Sequence, residues 1–407
     1  MTSDRFVIVG AGLAAVKAAQ TLREEGFSGE VVMVGAEAHP PYERPPLSKD
    51  YLQGKAQRDS VFVQPASWFQ EQSITLRQGT SVQGLQLGER QVQLSDGTLL
   101  AYDALLLATG STPRRLNIPG ADATGVHYLR TLDDADALRA GLDTTQHLVI
   151  VGGGWIGLEV AAVAREQGVA VTVLEQAELP LVGVLGPEVA QVFADLHRAH
   201  GVDLRCGVGV QSFIATDGAF AGVELADGTV LTADRAVVGV GVTPSIEFAR
   251  SSGLDIGSGI LVDATLRTSG PAVFAAGDIA EAEHPLLERR IRVEHWANAL
   301  NQGPHAARSM LGGTQPYDRL PYFYTDQYDL GMEYTGYAGP GDYDQVVVRG
   351  DTSGLDFMAF WLSGGRVLAG MHVSRWDTIG SVGDLIRSGR QVDPARLADD
   401  AVGLAEV

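Results

Sequence analysis

Short apolar runs, each followed by a helical pattern, occur twice along this chain. The runs are rich in β-branched residues and continuously apolar after their first position, which is typical of strands buried on both faces of a parallel sheet. The two copies are strand 5–9, helix near 13–26 and strand 30–34, and strand 147–151, helix near 155–167 and strand 170–174. This repetition predicts two βαβ units that diverged from one design.

Further apolar segments complete the predicted framework. Alternation over residues 92–94 and 99–107, with Asp96-Gly97 between them, predicts a hairpin that leads into a buried strand. Another short buried strand is predicted at residues 272–276. From about residue 321 the apolar positions become aromatic and strand-like, which indicates a smaller α+β domain.

Each repeated unit contains a glycine-rich turn between its first strand and its helix. The first turn contains Gly10, Gly12 and Ala15, and the second contains Gly152, Gly154, Ile156 and Gly157. In such a turn the first glycine permits the tight bend, the second admits a pyrophosphate, and the third small residue lets the helix lie on its strand. The diphosphate then binds at a helix N-terminus. Two such turns in the expected context predict two dinucleotide sites.

The second site carries an acid at the end of its second strand. A carboxylate at Glu175 would accept hydrogen bonds from the adenosine ribose and repel a 2′-phosphate. Gln176 follows it, where NADP sites usually have an arginine. The pattern favours NADH over NADPH, although Glu175 could also be an ordinary solvated glutamate. The passage through Gly241 closes this unit and is assigned to the same NAD site.

The first site has features that suit FAD. Ala15 in the third position is tolerated by the FAD form of the motif. Gly277 and Asp278 follow the buried strand at 272–276 and offer a close backbone approach and a carboxylate for a ribityl hydroxyl, although such a pair is often a plain turn. The residues that end the predicted strand of the first unit are assigned to the same FAD site: Ala108, Thr109 and Gly110.

The order of these segments implies an interrupted domain. We predict a discontinuous FAD-binding domain at residues 1–113 and 246–320, an NAD-binding domain at 114–245, and a C-terminal α+β domain at 321–407. The expected fold class is α/β, with two Rossmann-like dinucleotide-binding domains arranged as in glutathione reductase.

Composition narrows the function classes. The net charge of −20 argues against nucleic acid as a partner, because phosphates would be repelled over most of the surface. No apolar run approaches the ~20 residues of a membrane span, and the first strand begins too early for a leader peptide. The single cysteine, Cys206, rules out disulfides within the chain, so a cytoplasmic protein is expected. No metal site is predicted.

Several motifs together resemble one family. The most specific is Tyr-Glu-Arg-Pro-Pro-Leu-Ser-Lys at residues 42–49, supported by segments 128–131, 157–159 and 324–327. Over nearly its whole length the chain resembles the FAD-dependent NADH:ferredoxin reductases, of the putidaredoxin reductase type, that serve bacterial cytochrome P450s and ring-hydroxylating dioxygenases. The resemblance implies electron transfer from NADH through FAD to a [2Fe–2S] ferredoxin. It also implies FAD contacts at Arg44, Lys49, Val82, Arg130, Asp278 and Trp296.

One position departs from the family pattern. The family usually has an acid directly after the Val-Gly pair that ends the second strand, where it binds the FAD ribose. Here Gly35 is followed by Ala36 and only then by Glu37. Either Glu37 binds the ribose from one residue further on, or water does.

The absence of a cysteine pair restricts the route of the electrons. Related flavoproteins that reduce disulfides need two nearby cysteines, and those that work through a cysteine sulfenate need one near the flavin. Ser48 cannot replace either. Electrons would therefore leave a flavin directly, which suits a one-electron acceptor such as an iron–sulfur protein.

Two polar residues are candidates for the nicotinamide side of the site. Glu159 lies two residues after Gly157, and Lys49 ends the motif at 42–49. A buried pair of these residues could balance charge when a flavin is reduced. The alternatives are a glutamate that is merely favoured by the helix dipole and a solvated lysine.

The segment from Trp296 to Leu311 predicts a helix that begins near the flavin, with Trp296 either covering the flavin or packing in the core. Gly303-Pro304 predicts a break or kink in this helix. Just before it, Arg289, Arg290 and Arg292 form the densest basic stretch. This stretch could dock an acidic ferredoxin or be an ordinary solvated face.

Other functions remain open at this point. An NADH oxidase or diaphorase, or a rubredoxin reductase, would use the same cofactors. A flavoprotein like apoptosis-inducing factor, which shares the Pro-Pro-Leu-Ser-Lys motif and acts as a redox-sensitive binding protein, is the alternative from another class. The net charge of −20 weighs against it.

Overall fold

A computed structural model describes residues Asp4–Val407, and these form two compact units. Unit 1 comprises Met1–Glu43 (described from Asp4), Arg58–Thr112 and Thr243–Pro321. Unit 2 comprises Arg44–Gln57, Pro113–Val242 and Tyr322–Val407. Each unit is therefore assembled from three separate stretches of chain. The three-domain division given above stays a prediction.

The helices, in chain order, are α1 (Leu13–Glu24), α2 (Ala66–Glu71), α3 (Leu132–Leu142), α4 (Trp155–Glu166), α5 (Val182–Ala199), α6 (Trp296–Met310), α7 (Ile379–Ser388) and α8 (Pro394–Ala398). Short 3₁₀ turns lie at Pro45–Ser48, Arg58–Val61, Glu247–Ala249 and Gly277–Ile279.

The strands, in chain order, are β1 (Arg5–Val9), β2 (Glu30–Val34), β3 (Ile74–Arg77), β4 (Val82–Gln86), β5 (Gln91–Leu94), β6 (Leu99–Ala101), β7 (Ala104–Leu107), β8 (Ser111–Pro113), β9 (Val126–His127), β10 (His147–Val151), β11 (Ala170–Glu175), β12 (Asp203–Cys206), β13 (Val210–Thr216), β14 (Ala219–Leu225), β15 (Val230–Thr232), β16 (Arg235–Val238), β17 (Val242–Pro244), β18 (Ile260–Val262), β19 (Val273–Ala275), β20 (Ala280–His284), β21 (Arg289–Arg292), β22 (Tyr322–Gln327), β23 (Leu330–Gly336), β24 (Gln345–Asp351), β25 (Asp356–Ser363) and β26 (Arg366–Val373).

Unit 1 is organised around a parallel sheet in the order β19-β7-β1-β2-β3. Its central strand is fully buried from Phe6 to Val9, as the continuous apolar run predicts. The predicted hairpin is present as antiparallel β5 and β6, and the chain then turns at Tyr102 and Asp103 before β7 joins the parallel sheet. The run at 99–107 is thus two strands in two different sheets.

Unit 2 repeats this design with a parallel sheet in the order β12-β11-β10-β16-β9. Its α4 begins at Trp155 with Gly154 as the N-cap, just as α1 of unit 1 begins at Leu13 with Gly12 as the N-cap. The aromatic tail forms an antiparallel sheet in the order β22-β23-β26-β25-β24, covered by α7. The predicted α/β fold class with an α+β tail is confirmed.

The expected break in α6 at Gly303-Pro304 is wrong. The helix continues through Pro304 from Trp296 to Met310. A side chain on Gly303 would place its Cβ 2.2 Å from the Ala14 carbonyl oxygen, which shows how tightly α6 packs on α1. This packing keeps the helix continuous despite the donor that proline lacks.

Among residues Asp4–Val407, no helix combines the length and the apolar character that crossing a membrane requires.

Candidate functional site

The glycine turn of unit 1 leaves room at the start of α1. Gly10 has a φ of +118°, and a Cβ there would lie 2.1 Å from the Ala108 carbonyl oxygen, so the bend requires glycine. Gly12 caps α1 without any side-chain hydrogen bond, and a Cβ added to it would meet nothing within 4 Å. The first N–H groups of α1 are thus open toward space that a diphosphate fits.

The other FAD candidates of unit 1 lie on several elements. Asp278 is buried in a 3₁₀ turn that begins at Gly277, whose N–H donates to Gln302 Oε1 at 2.8 Å. Gly277 has a φ of +78°, so glycine is favoured there. Trp296 is half-buried at the first position of α6. Val82, half-buried in β4, and the segment of Ala108, Thr109 and Gly110, which follows β7, complete the set.

Glu37 lies in the loop after β2. It accepts a hydrogen bond from the Tyr42 hydroxyl, which fixes the carboxylate, and it is half-buried. Ala36 beside it is exposed. Tyr42, the first residue of the motif at 42–49, therefore holds the Glu37 side chain in place. The sequence does not reveal this contact.

A half-buried histidine occupies the N-cap position of α6. His295 is the residue before Trp296, and burial lowers its pKa to about 4, partly opposed by the charge of Asp278. The imidazole is thus neutral at physiological pH. No local sequence pattern marks His295 as a site residue.

The glycine turn of unit 2 has the same form as that of unit 1. Cβ atoms on Gly152 and Gly157 would lie 2.4 Å from the Gly239 oxygen and 2.2 Å from the Gly152 oxygen, so both positions require glycine. A Cβ on Gly154 would come no nearer than 4.0 Å to any atom. The N-terminus of α4 is thus open in the same way as that of α1. Ile156 is exposed in its first turn.

Glu175 lies beside this turn at the end of β11. Its carboxylate accepts hydrogen bonds from the backbone N–H of Gly153 at 2.6 Å and of Ala177 at 2.7 Å. The following Gln176 is exposed. The carboxylate is thereby fixed at the glycine turn, and its remaining lone pairs can accept further hydrogen bonds. Gly241, with a φ of +97°, follows β16 in this unit.

Lys49 and Glu159 form an ion pair in unit 2. Glu159 is 5% exposed, on the second turn of α4, and Lys49 follows the 3₁₀ turn Pro45–Ser48. The Glu159 Oε2 atom also accepts a hydrogen bond from the Ser48 hydroxyl at 2.6 Å, and Oε1 accepts one from Thr325 Oγ1 at 2.7 Å. Three donors, from Lys49, Ser48 and Thr325, therefore converge on this buried carboxylate.

Sequence reasoning did not identify the roles of Ser48 and Thr325. Both lie within the motifs at 42–49 and 324–327, so the motifs were the available signal. Their contact with Glu159 joins residues 111 and 166 positions apart in the chain. Such distances are not visible in local patterns.

Arg44 and Arg130, both half-buried in unit 2, lie together: Arg44 Nη1 donates to the Arg130 carbonyl oxygen at 2.5 Å. Arg130 precedes the capping box of α3, in which Thr131 and Asp134 exchange hydrogen bonds. The residue before the 3₁₀ turn of the motif at 42–49 is thereby held against the start of α3.

The basic stretch on β21 is flanked by acids. Arg290 and Arg292 face Glu283 and Glu281 across the antiparallel pair with β20. Arg290 pairs with Glu283 at 3.7 Å, and Arg292 pairs with Glu294. Arg289 is exposed. The local positive charge is therefore smaller than the sequence of β21 suggests.

The fold contains two Rossmann-like units, and each has a glycine turn at the start of a helix. Residues 4–303 match the family described as pyridine nucleotide-disulphide oxidoreductase, and residues 322–407 match the reductase C-terminal family. The chain belongs to the pyridine nucleotide-disulphide oxidoreductase family. The resemblance stated from the sequence motifs is confirmed.

Individual relatives cover the whole chain. The ferredoxin–NAD(+) reductase component of the anthranilate 1,2-dioxygenase system from Burkholderia cepacia is 43% identical over 99% of this chain and 99% of its own. Putidaredoxin reductase from Pseudomonas putida is 38% identical over 100% of this chain and 97% of its own. The solved covalent putidaredoxin reductase–putidaredoxin complex matches with a TM-score of 0.95 and 39% identity, over 100% of this chain and 98% of that one. The protein is an oxidoreductase enzyme, and its family implies use of a flavin and NAD(H).

Proposed function

We propose that this protein is an FAD-dependent NADH:ferredoxin reductase that supplies a cytochrome P450 or a ring-hydroxylating dioxygenase. The observation that carries the proposal is the single cysteine in a member of a disulphide oxidoreductase family. Cys206 lies in β12 of unit 2, and burial raises the pKa of its thiol. Since one inert cysteine cannot serve as a dithiol relay, electrons leave the flavin for a direct acceptor.

The relatives support an iron–sulfur acceptor. One relative is named a ferredoxin–NAD(+) reductase component, another is named putidaredoxin reductase, and the latter name also appears in a solved covalent complex with putidaredoxin. The [2Fe–2S] ferredoxin assigned from the resemblance is therefore the acceptor we propose. When bound, FAD supplies the conversion between a two-electron hydride donor and a one-electron acceptor.

The two glycine turns have separate roles in this proposal. The turn at Gly10 and Gly12, with Asp278 on its own element, holds FAD in unit 1. The turn at Gly152 and Gly154 holds NADH in unit 2. Both fit a diphosphate for the same reason, which is an uncapped helix start with no atom close to the second glycine. The FAD contacts that the resemblance implies at Arg44, Lys49 and Arg130 stay predictions.

Lys49 and Glu159 act on the nicotinamide side of the reaction. Glu159 lies on α4, and the N-terminus of the same helix is the proposed binding site for the NADH pyrophosphate. The carboxylate holds the Lys49 ammonium in place, and the pair keeps a fixed charge arrangement while the ligand charge changes. No further acid or base is required, because hydride transfer is direct.

An anaerobic stopped-flow experiment tests the proposal. NADH should bleach the flavin absorbance of the purified protein, and oxidised [2Fe–2S] ferredoxin should then restore it while two ferredoxins are reduced per NADH. Flavin that is bleached by NADH but reoxidised only by air would favour the NADH oxidase alternative. A flavin that NADH does not bleach would contradict the proposal.

NADH preference should depend on Glu175. Loss of hydrogen bonds to an ionised carboxylate costs about 1.5–3 kcal/mol, so Glu175→Ala should raise the KM for NADH about tenfold to a hundredfold. Adding Gln176→Arg to this variant should improve NADPH use, because an arginine can pair with the 2′-phosphate. Steady-state kinetics with both nucleotides measure this. Equal efficiency of the unchanged protein with NADH and NADPH would show that Glu175 does not discriminate.

Ferredoxin docking at β21 is a separate prediction. Changing Arg289, Arg290 and Arg292 to glutamate should slow electron transfer to ferredoxin while NADH still bleaches the flavin at the normal rate. Salt near ~0.5 M, where the screening length is about 4 Å, should slow the same step. Glu283→Lys offers a matched control, since it adds positive charge to the same surface and should speed transfer. If all variants transfer electrons at the normal rate, ferredoxin docks elsewhere.

A further inference from the structure

A line of hydrogen bonds in unit 2 ends on the Glu159 carboxylate. Its members are side chains of α4, α5 and β22, together with Tyr328, which directly follows β22. In order they are Tyr328 Oη to His197 Nδ1 at 3.3 Å, His197 Nε2 to Gln327 Oε1 at 2.8 Å, Gln327 Nε2 to Thr325 Oγ1 at 3.2 Å, and Thr325 Oγ1 to Glu159 Oε1 at 2.7 Å.

The carboxylate end sets the direction of every bond. Thr325 must donate its hydroxyl proton to Glu159, so its oxygen is left to accept from the Gln327 amide. The amide oxygen of Gln327 then faces His197 and accepts its Nε2–H. The other ring nitrogen of His197 consequently carries a lone pair and accepts from a tyrosine hydroxyl. Each group donates toward Glu159.

Burial keeps His197 neutral and Tyr328 protonated, as the direction of these hydrogen bonds requires. His197 is fully buried, and desolvation lowers its pKa to about 4, although the hydrogen bond to Gln327 opposes the shift. Burial also raises the pKa of Tyr328. The imidazole therefore stays neutral and the phenol stays protonated around neutral pH, so the direction of the bonds does not change.

The inner members have fixed positions. Thr325 and Gln327 alternate along β22 and point to the same buried face, each 1% exposed. His197 lies near the end of α5 and packs against the Tyr328 ring, with centroids 5.3 Å apart. Side chains this enclosed have few alternative rotamers, so the last donor, Thr325 Oγ1, is held at one position.

We propose that Thr325, Gln327 and His197 are positioning residues that orient Glu159, and through it the Lys49 ammonium, for hydride transfer at the NADH site. The inference rests on the proposed function. Ser48 donates to the other carboxylate oxygen, Oε2. Reversing the hydrogen bond between residues 327 and 325 would turn the Thr325 hydroxyl away from Glu159 while both side chains keep their size.

Gln327→Glu makes this reversal. A carboxylate at 327 accepts from both Thr325 and His197, so the threonine hydroxyl no longer donates to Glu159. In anaerobic stopped-flow the rate constant for flavin bleaching by NADH should fall about tenfold, with the Kd for NADH within about twofold of the original. Thr325→Val should have the same effect, and Thr325→Ser should restore the rate because it retains the hydroxyl.

Thr172→Val is the matched control. Like Thr325, Thr172 is a buried threonine of unit 2. Its hydroxyl contacts His147 Nε2 at 2.9 Å and has no hydrogen bond to the residues of the line that ends on Glu159. This variant should bleach at the normal rate. If Gln327→Glu and Thr325→Val also bleach at the normal rate, the positioning role is wrong.

A second readout does not depend on catalysis. ¹⁵N NMR of the flavin-loaded protein labelled at histidine should show His197 neutral with its proton on Nε2, and the Gln327→Glu variant should move this signal toward the charged imidazole. A wild-type proton on Nδ1 would overturn the assigned direction. If NADH fails to bleach the wild type while the NMR result is as expected, the proposed function fails and the hydrogen-bond line stands.

Discussion

Gly12→Ala is expected to leave the protein folded but nearly free of FAD. A Cβ at Gly12 meets no protein atom within 4 Å, and the backbone there has a φ of −91°, which alanine adopts easily. The new methyl group instead occupies the space open to a diphosphate at the start of α1. We expect at least about a hundredfold weaker FAD binding, on the order of 3 kcal/mol. Flavin absorbance per protein and fluorescence titration of the apoprotein with FAD measure this.

Gly154→Ala is the matched variant in unit 2. It should keep the flavin colour, because the change lies in unit 2. Its Cβ meets no protein atom closer than 4.0 Å, so the methyl group would occupy the space proposed for the NADH diphosphate, and the KM for NADH should rise at least about tenfold. Gly157→Ala should behave differently and destabilise the fold, since its Cβ lies 2.2 Å from a backbone oxygen. Full FAD content in Gly12→Ala would show that the diphosphate does not bind at this turn.

Lys49→Met is expected to cause the second large effect, on both stability and hydride transfer. It leaves the Glu159 carboxylate, 5% exposed, without its cation, and breaking a buried pair in this way costs about 3–5 kcal/mol. For a unit of this size we expect the melting midpoint to fall by about 6–12 °C. Differential scanning calorimetry measures the midpoint, and stopped-flow bleaching by NADH measures the reaction.

The double variant Lys49→Met with Glu159→Gln separates the two effects. Removing the uncompensated charge should recover at least half of the lost stability, because Ser48 and Thr325 can still donate to an amide oxygen. Hydride transfer should stay slow. The exposed pair of Arg205 with Asp203, 2.8 Å apart, is the control: Arg205→Met should cost less than about 1 kcal/mol. If the stability losses of Lys49→Met and Glu159→Gln simply add in the double variant, the two residues are not energetically coupled.

Local patterns predict the framework of this protein well. The apolar runs at 5–9 and 147–151 coincide with β1 and β10, because a strand buried on both faces leaves no place for polar residues. The glycine turns are equally visible, since positive φ at Gly10 and Gly152 and the close approach at Gly157 exclude other residues.

Long-range contacts account for what the sequence could not show. The hydrogen bonds from Ser48 and Thr325 to Glu159 depend on three stretches of chain meeting in unit 2. The basic run on β21 lost much of its apparent charge because its cross-strand partners on β20 include Glu281 and Glu283. Pro304 was expected to interrupt α6, but packing against α1 outweighed the local preference.

Ferredoxin-dependent reduction of cytochrome c by NADH tests the central claim most directly. We expect the purified flavoprotein to reduce cytochrome c slowly alone, and a [2Fe–2S] ferredoxin to accelerate the reaction in a saturable way. Rubredoxin in place of ferredoxin distinguishes the two iron–sulfur acceptors. A rate that is the same with and without ferredoxin, with NADH consumed by oxygen instead, would contradict the account.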